Sequence, residues 1–194
     1  MVTLANISRT ERRLSMTKPD SGLFKGTSGI EDFYGDAERV ITERVKGLDL
    51  TPHPITQKQL SSKQRKRIRD RIKRRIATRE EYQRFMWDRR FARRRKLGVN
   101  NFWKQERDRI NDGEQFTRNW TPEQIADILG DKSPKFQSKA MEAHHSYNAK
   151  EFPHLANLGE VIYPATHDEH IKGWHGGNYR NSRPGKRIRR FREF

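Results

Sequence analysis

The chain has 194 residues, with 42 Lys and Arg against 25 Asp and Glu, a formal net charge of +17, and no cysteine. Leu, Ile, Val and Phe together number 38, about a fifth of the chain, a level at which high net charge leaves room for only a small core. The absence of cysteine excludes a disulfide framework, a thiolate zinc site and a Cys nucleophile. No apolar run approaches the ~18 residues of a membrane span, and the opening MVTLANISRTERR lacks the apolar stretch of a signal peptide. The excess positive charge points to a polyanionic partner, most simply nucleic acid.

Residues 1–27 show no periodicity and predict a loose start. Ser28-Gly29-Ile30-Glu31 reads as a capping box, and Phe33, Ala37, Val40, Ile41 and Val45 then form one face of a helix closing at Gly47. Thr51-Pro52-His53-Pro54 reads as a linker. Between Lys58 and Lys96 lie 18 Lys and Arg and 4 acidic residues, which accounts for +14 of the net charge. Capping boxes at Ser61–Gln64 and Thr78–Glu81, with apolar spacing at Ile68, Ile72 and Ile76 and at Tyr82, Phe85 and Met86, predict helices over roughly 62–77 and 79–96. Val99, Phe102, Trp103 and Ile110 predict a third over 100–111. Such helices, Arg-rich and poor in short polar side chains, suit phosphate contact better than base reading. The candidate contacts are Arg65, Arg67, Arg71, Arg74, Arg75, Arg89, Arg90, Arg93 and Arg94. Thr121-Pro122-Glu123-Gln124 opens a short helix with Gly130 as its C-cap. Trp103, Trp120 and Trp174 read as anchors of a small core.

Six of the seven histidines fall between His144 and His175. Neutral imidazole is both a metal ligand and the natural proton carrier near neutral pH, so a cluster without cysteine suits a hydrolytic site holding a divalent metal. Phe136–Ser146 can pair as a strand with Glu160–Tyr163. Pro164 is expected to end the sheet, and Thr166-His167-Asp168-Glu169 to open a helix. His154, in Phe-Pro-His-Leu, reads as packing or a loop hydrogen bond. The fold class expected is α+β, divided into a loosely ordered segment with one helix (1–57), a basic helical region (58–119) and a C-terminal ββα unit (120–194).

Ala143-His144-His145, followed by Asn157, by Tyr163-Pro164-Ala165-Thr166-His167-Asp168-Glu169-His170 and by Trp174-His175-Gly176-Gly177-Asn178, resembles the HNH or His-Me finger nucleases. The closest likeness is to the AHH/GHH-type toxin domains of bacterial Rhs and other polymorphic toxins. The resemblance implies a ββα-metal finger and a metal-dependent endonuclease acting on DNA, holding Mg2+, Zn2+, Mn2+ or Ni2+. It implies His145 as general base, His144 as a metal ligand, and Asn157 holding the base imidazole through its side-chain carbonyl, with Asn148 as the alternative. In the nuclease colicins the two helix ligands are four apart. Here the spacings are three (His167, His170) and five (His170, His175); the Glu-His and Trp-His-Gly-Gly elements favour His170 with His175, and His167 is the alternative. A toxin of this kind implies delivery into a target cell's cytoplasm, often as part of a larger secreted protein, and a cognate immunity protein, expected to be acidic because opposite fields speed association. Two other readings remain open on the residues alone: a non-catalytic basic nucleic-acid-binding protein, and a phage or mobile-element endonuclease.

Overall fold

A computed structural model describes residues 31–188, with side chains from residue 37 onward. The expected loose start and the capping box at Ser28 lie outside the described residues. The order is α1 (Glu31–Arg44), α2 (Ser62–Lys73), α3 (Arg79–Asp112), α4 (Pro122–Leu129), β1 (Lys135–Phe136), β2 (Lys139–Ala140), β3 (Glu142–His145), a 3-10 turn (Gly159–Val161), β4 (Ile162–Ala165) and a π-helix (Glu169–Trp174). The fold is α+β, as the sequence predicts. Among the described residues no helix is long and apolar enough to cross a membrane.

The helix starts follow local chemistry. Ser61, Thr78 and Thr121 each accept from the N3 amide while Gln64, Glu81 and Gln124 reach back to the cap amide, satisfying donors that a helix start otherwise leaves unpaired. Thr166 and Glu169 make the same exchange, at 3.3 and 2.7 Å.

The two helices expected over 79–96 and 100–111 are one, 34 residues long. Gly98, in the gap between the two expected helices, sits inside α3 where the finger comes too close for a side chain. A Cβ there would lie 2.5 Å from the Ala156 carbonyl oxygen. A Cβ on Gly159, on the finger side, would lie 2.7 Å from the Phe102 amide nitrogen. Small residues at both points let backbone pack on backbone. Phe85, Asp88, Phe91, Gly98, Phe102 and Glu106 form the buried stripe of α3. Its C-terminal half joins α1 and the finger in the main core, around Ile41, Phe102, Phe152, Ile162 and Trp174. Its N-terminal half packs α2 through Leu60, Ile68 and Phe85. Buried Asp88 accepts from the Leu60 amide and from Arg65 Nε, at 2.9 and 2.8 Å. Gly98→Ala is expected to cost about 1–3 kcal/mol of stability by overpacking. A lower urea-unfolding midpoint would measure it.

The sheet departs from expectation in two ways. The strand foreseen over Phe136–Ser146 is split: Gln137 and Ser138 take left-handed φ values of 47° and 64° and fold 135–140 into a separate hairpin. The partner of β3 is 162–165 rather than 160–163, pairing His144 with Tyr163 and His145 with Ile162. Pro164 lies within the strand instead of ending it. Its carbonyl accepts from Arg118 Nη1 at 3.2 Å, so the residue faces away from β3 and its missing N–H breaks no ladder bond.

Candidate active site

β3 delivers His144 and His145 side by side, and alternation turns them to different surroundings. His144 is buried and stacks on Trp174, with ring centroids 4.6 Å apart and planes at 28°. Trp174 is the anchor its residue type suggests, and it is also the floor of the site. His145 turns toward α3, where its Nε2 lies 3.2 Å from the Ala156 carbonyl oxygen.

The last helix explains a spacing that an α-helix does not. After a first turn closed by His170 N–H to Thr166 O (2.9 Å), the chain widens, and His175 N–H donates to His170 O at 3.1 Å. With i→i+5 bonding, residues five apart stack on one face, and such widened turns are frequent at functional sites. His170 and His175 therefore face each other, Nε2 to Nε2 at 3.2 Å. With His144 they bring three ligand atoms within 4.8 Å of one another. His167 stands apart and exposed, donating from Nδ1 to Glu142 Oε1 at 2.7 Å.

These residues fit a metal on the chemistry of their hydrogen bonds. His170 Nδ1 faces the other Glu142 oxygen, and His175 Nδ1 faces the Asn181 carbonyl at 2.6 Å. Both Nδ1 atoms face acceptors and so carry hydrogens. In neutral rings both Nε2 atoms then present lone pairs to each other, an arrangement that calls for a cation. Tetrahedral coordination with metal–nitrogen bonds of about 2.0–2.1 Å separates two ligand nitrogens by about 3.3 Å, close to the distance observed. Burial holds His144 well below the usual imidazole range, helped by His170 and His175. Burial also lowers His170, and the opposing pull of Glu142 does not reverse this. His144 and His170 are therefore neutral at pH 7, as ligands must be. Burial pushes the Glu142 carboxyl up, but hydrogen bonds from His170 and His167 outweigh it and leave the carboxyl below its usual range. Such outer partners commonly set ligand orientation and basicity. Glu142→Gln, which sets an amide N–H₂ against one ring N–H, is expected to weaken Zn2+ binding by about 10–100-fold. Calorimetric titration measures it, and unchanged affinity would contradict the role.

His145 is lowered to about 4, chiefly by burial and further by Arg95, against the raising effect of its hydrogen bond to the Ala156 carbonyl. It is thus neutral at pH 7, with Nε2 protonated toward Ala156 and the Nδ1 lone pair open. The support expected from Asn157 comes instead from the main chain one residue earlier. Asn157 Oδ1 accepts from Arg94, and its own carbonyl accepts from Asn101 Nδ2 at 2.9 Å. Asn148 also does not serve: it donates to Ser182 Oγ at 3.1 Å and accepts from the Lys150 amide. His154 is a loop hydrogen-bonder, with Nε2 3.0 Å from the Asp49 carbonyl.

A cavity of about 420 Å³ opens over these histidines, and His144, His145, His170, His175, Arg95, Lys150 and Tyr179 are among its lining. Composition does not single out Arg95 among the thirteen arginines of the basic segment. Its register gives it away. It lies four residues after buried Phe91 and three before buried Gly98, on the α3 face turned to the finger. The residue as a whole stays exposed, although desolvation by the neighbouring protein lowers its pKa, so a cation borders the cavity.

The nine arginines proposed from sequence divide in two. Arg65 binds Asp88; Arg71 Nε binds Glu81 Oε2 at 2.8 Å and its Nη2 the Ile76 carbonyl; Arg94 binds the Pro153 and His154 carbonyls as well as Asn157. These three hold the protein together. Arg67, Arg74, Arg75, Arg90 and Arg93 are exposed, as is Arg89, whose guanidinium lies 5.9 Å from the Phe85 ring centre.

Residues 86–166 match the family model for a GHH signature containing HNH/Endo VII superfamily nuclease toxin. The match runs from the first third of α3 through the His144–His145 pair to Thr166, so it bears out the family resemblance over that stretch and supports a nuclease toxin. His170 and His175 lie beyond it. No curated protein and no solved structure matches the chain.

Proposed function

We propose that the chain, with a nuclease-toxin domain over residues 86–166, is a metal-dependent endodeoxyribonuclease delivered into target cells and neutralised by an acidic immunity protein. The observation that carries this reading is the convergence of His144, His170 and His175 beside a fourth imidazole fixed by a main-chain carbonyl, in a cavity walled by Arg95. A non-catalytic basic binder gives no reason for that convergence. In this reading the basic region 58–119 binds DNA and the unit 120–194 cuts it, with α3 shared between them.

A divalent ion held by His144, His170 and His175 would neutralise charge on the scissile phosphate and aid departure of the leaving oxygen. Three imidazole donors favour Zn2+ or Ni2+ over Mg2+ or Mn2+. His145 takes the proton of the attacking water at Nδ1, because its Nε2–H is committed to Ala156. Arg95 contacts the phosphate through a charge-assisted bond. Arg67, Arg74, Arg75, Arg89, Arg90 and Arg93 supply sequence-independent contacts to the backbone.

Incubating the purified protein with supercoiled plasmid and, separately, with ribosomal RNA tests the substrate class. The reading expects nicking and linearisation of the plasmid; degradation of the RNA alone would overturn it. Replacing Arg89, Arg90 and Arg93 by Ser should weaken DNA binding and flatten its salt dependence, by roughly 0.9 in log–log slope for each phosphate no longer neutralised. Arg94 is left intact in that variant because it anchors the loop behind His145.

A further inference from the structure

We infer that Tyr179 is a stacking platform for a nucleobase beside the scissile phosphate. The inference rests on the nuclease reading above. Tyr179 is 57% exposed, and among the described residues it is the one large exposed apolar side chain that lines the cavity over the histidines. Its ring packs on the ligand imidazoles, with centroids 5.3 Å from His175 at 54° and 5.8 Å from His170 at 79°. The rest of the ring is left to solvent.

The chain around it is built to hold this position. Gly176 and Gly177 take φ values of 57° and 88°, which turn the backbone sharply out of the π-helix. Asn181 then returns to accept from His175 Nδ1, and Gly185 N–H donates to Ser146 O at 2.8 Å. Before Tyr179, Gly177 N–H donates to Ile171 O at 2.8 Å and Asn178 N–H to His175 O at 3.0 Å, so the loop is tied to the site on both sides of the residue. It gains no core from the tyrosine, since more than half of the residue stays in water.

An aromatic ring at the mouth of a polar, cationic cavity matches one part of a nucleic acid that the histidines and Arg95 do not. Those groups address the phosphate, and a base needs a π-face. Base–aromatic stacking is tolerant of sequence, because every base has such a face. A nuclease without sequence preference can therefore use it to fix the strand while the phosphate lies over the ligands.

The test pairs a protein change with a substrate change. Single-stranded DNA oligonucleotides carry either normal thymidines or a central run of abasic tetrahydrofuran residues, and cleavage positions are mapped on gels for wild type, Y179A and Y179F. Wild type should cut base-flanked bonds about tenfold faster than abasic-flanked ones, within the range of base–aromatic stacking. Y179A should lose that preference, and Y179F should restore it, because stacking uses the ring and not the hydroxyl. Zn2+ affinity of Y179A, measured in parallel, should match wild type. The inference is overturned if wild type shows no preference, if Y179A keeps it, if Y179F fails to restore it, or if Y179A loses Zn2+, which would make the ring a mere wall of the metal site. A wild-type protein that cuts plasmid but neither oligonucleotide overturns this inference alone; one that also leaves supercoiled plasmid intact overturns the nuclease reading itself, and this inference with it.

Discussion

Replacing His145 by Ala is expected to lower plasmid cleavage by about 10²–10⁴-fold, the usual contribution of a positioned general base, while DNA binding persists. The expectation follows from where the ring sits. Its Nε2 is committed to the Ala156 carbonyl, so one nitrogen is left for the chemistry. At pH 7 the ring is neutral, so its loss removes a proton acceptor and no positive charge. The arginines of α2 and α3 remain, and with them the phosphate contacts that dominate affinity. Gel-shift titrations at several salt concentrations, run beside the cleavage assay, separate the two effects. Wild-type cleavage by H145A would remove His145 from the mechanism.

The second large effect is expected at the ligands. His175→Ala should weaken Zn2+ binding by more than the 10–100-fold typical of losing an outer partner, and abolish cleavage with it. His175 is the cleaner choice among the three. Its Nδ1 bond goes to a loop carbonyl, whereas His144 stacks on the core residue Trp174 and His170 shares Glu142 with His167. His167→Ala is the matched control: it keeps all three converging nitrogens and should retain metal stoichiometry. If H167A loses the ion and H175A keeps it, the ligand set is the three-spaced pair instead.

Much of the fold and the site is legible in the sequence, and the failures have physical causes. The capping boxes at Ser61, Thr78, Thr121 and Thr166 announce helix starts because their logic is local: a side chain and an amide three residues away. The helix expected to stop at 96 runs on through Gly98, a glycine whose reason is not local. It marks contact with Ala156, 58 positions later in the chain, and nothing nearby distinguishes that from a helix break. The Glu-His and Trp-His-Gly-Gly elements favour His170 with His175, whose Nε2 atoms converge, while the five-residue spacing gives no geometric reason for it, since α-helical periodicity does not allow for a π-turn. Support for His145 is expected among asparagine side chains and lies in a main-chain carbonyl, which leaves no mark on residue type. Arg95 is hidden by charge: in a run of arginines, composition cannot say which one lines the cavity. The offset from Phe91 and Gly98 is the signal that could show it.

Glu142 shows how the site depends on the split strand. The hairpin turn at Gln137–Ser138 ends before β3 starts, so Glu142 opens β3 opposite Ala165. From there its carboxylate reaches both His167 and His170 across the start of the π-helix, which Arg118 fixes through paired bonds to Glu169 at 2.8 and 2.9 Å. A strand running unbroken from Phe136 would have had no turn here to set that entry.

The most direct measurement is plasmid cleavage by the purified wild-type protein after exhaustive chelation, followed by stepwise return of Zn2+, Ni2+, Mn2+ or Mg2+. The account predicts that the chelated protein binds plasmid without cutting it. Cutting should return at about one equivalent of added ion, for wild type and H167A but not for H175A or H145A. Undiminished cleavage by the chelated protein, or full cleavage by H175A, would contradict it.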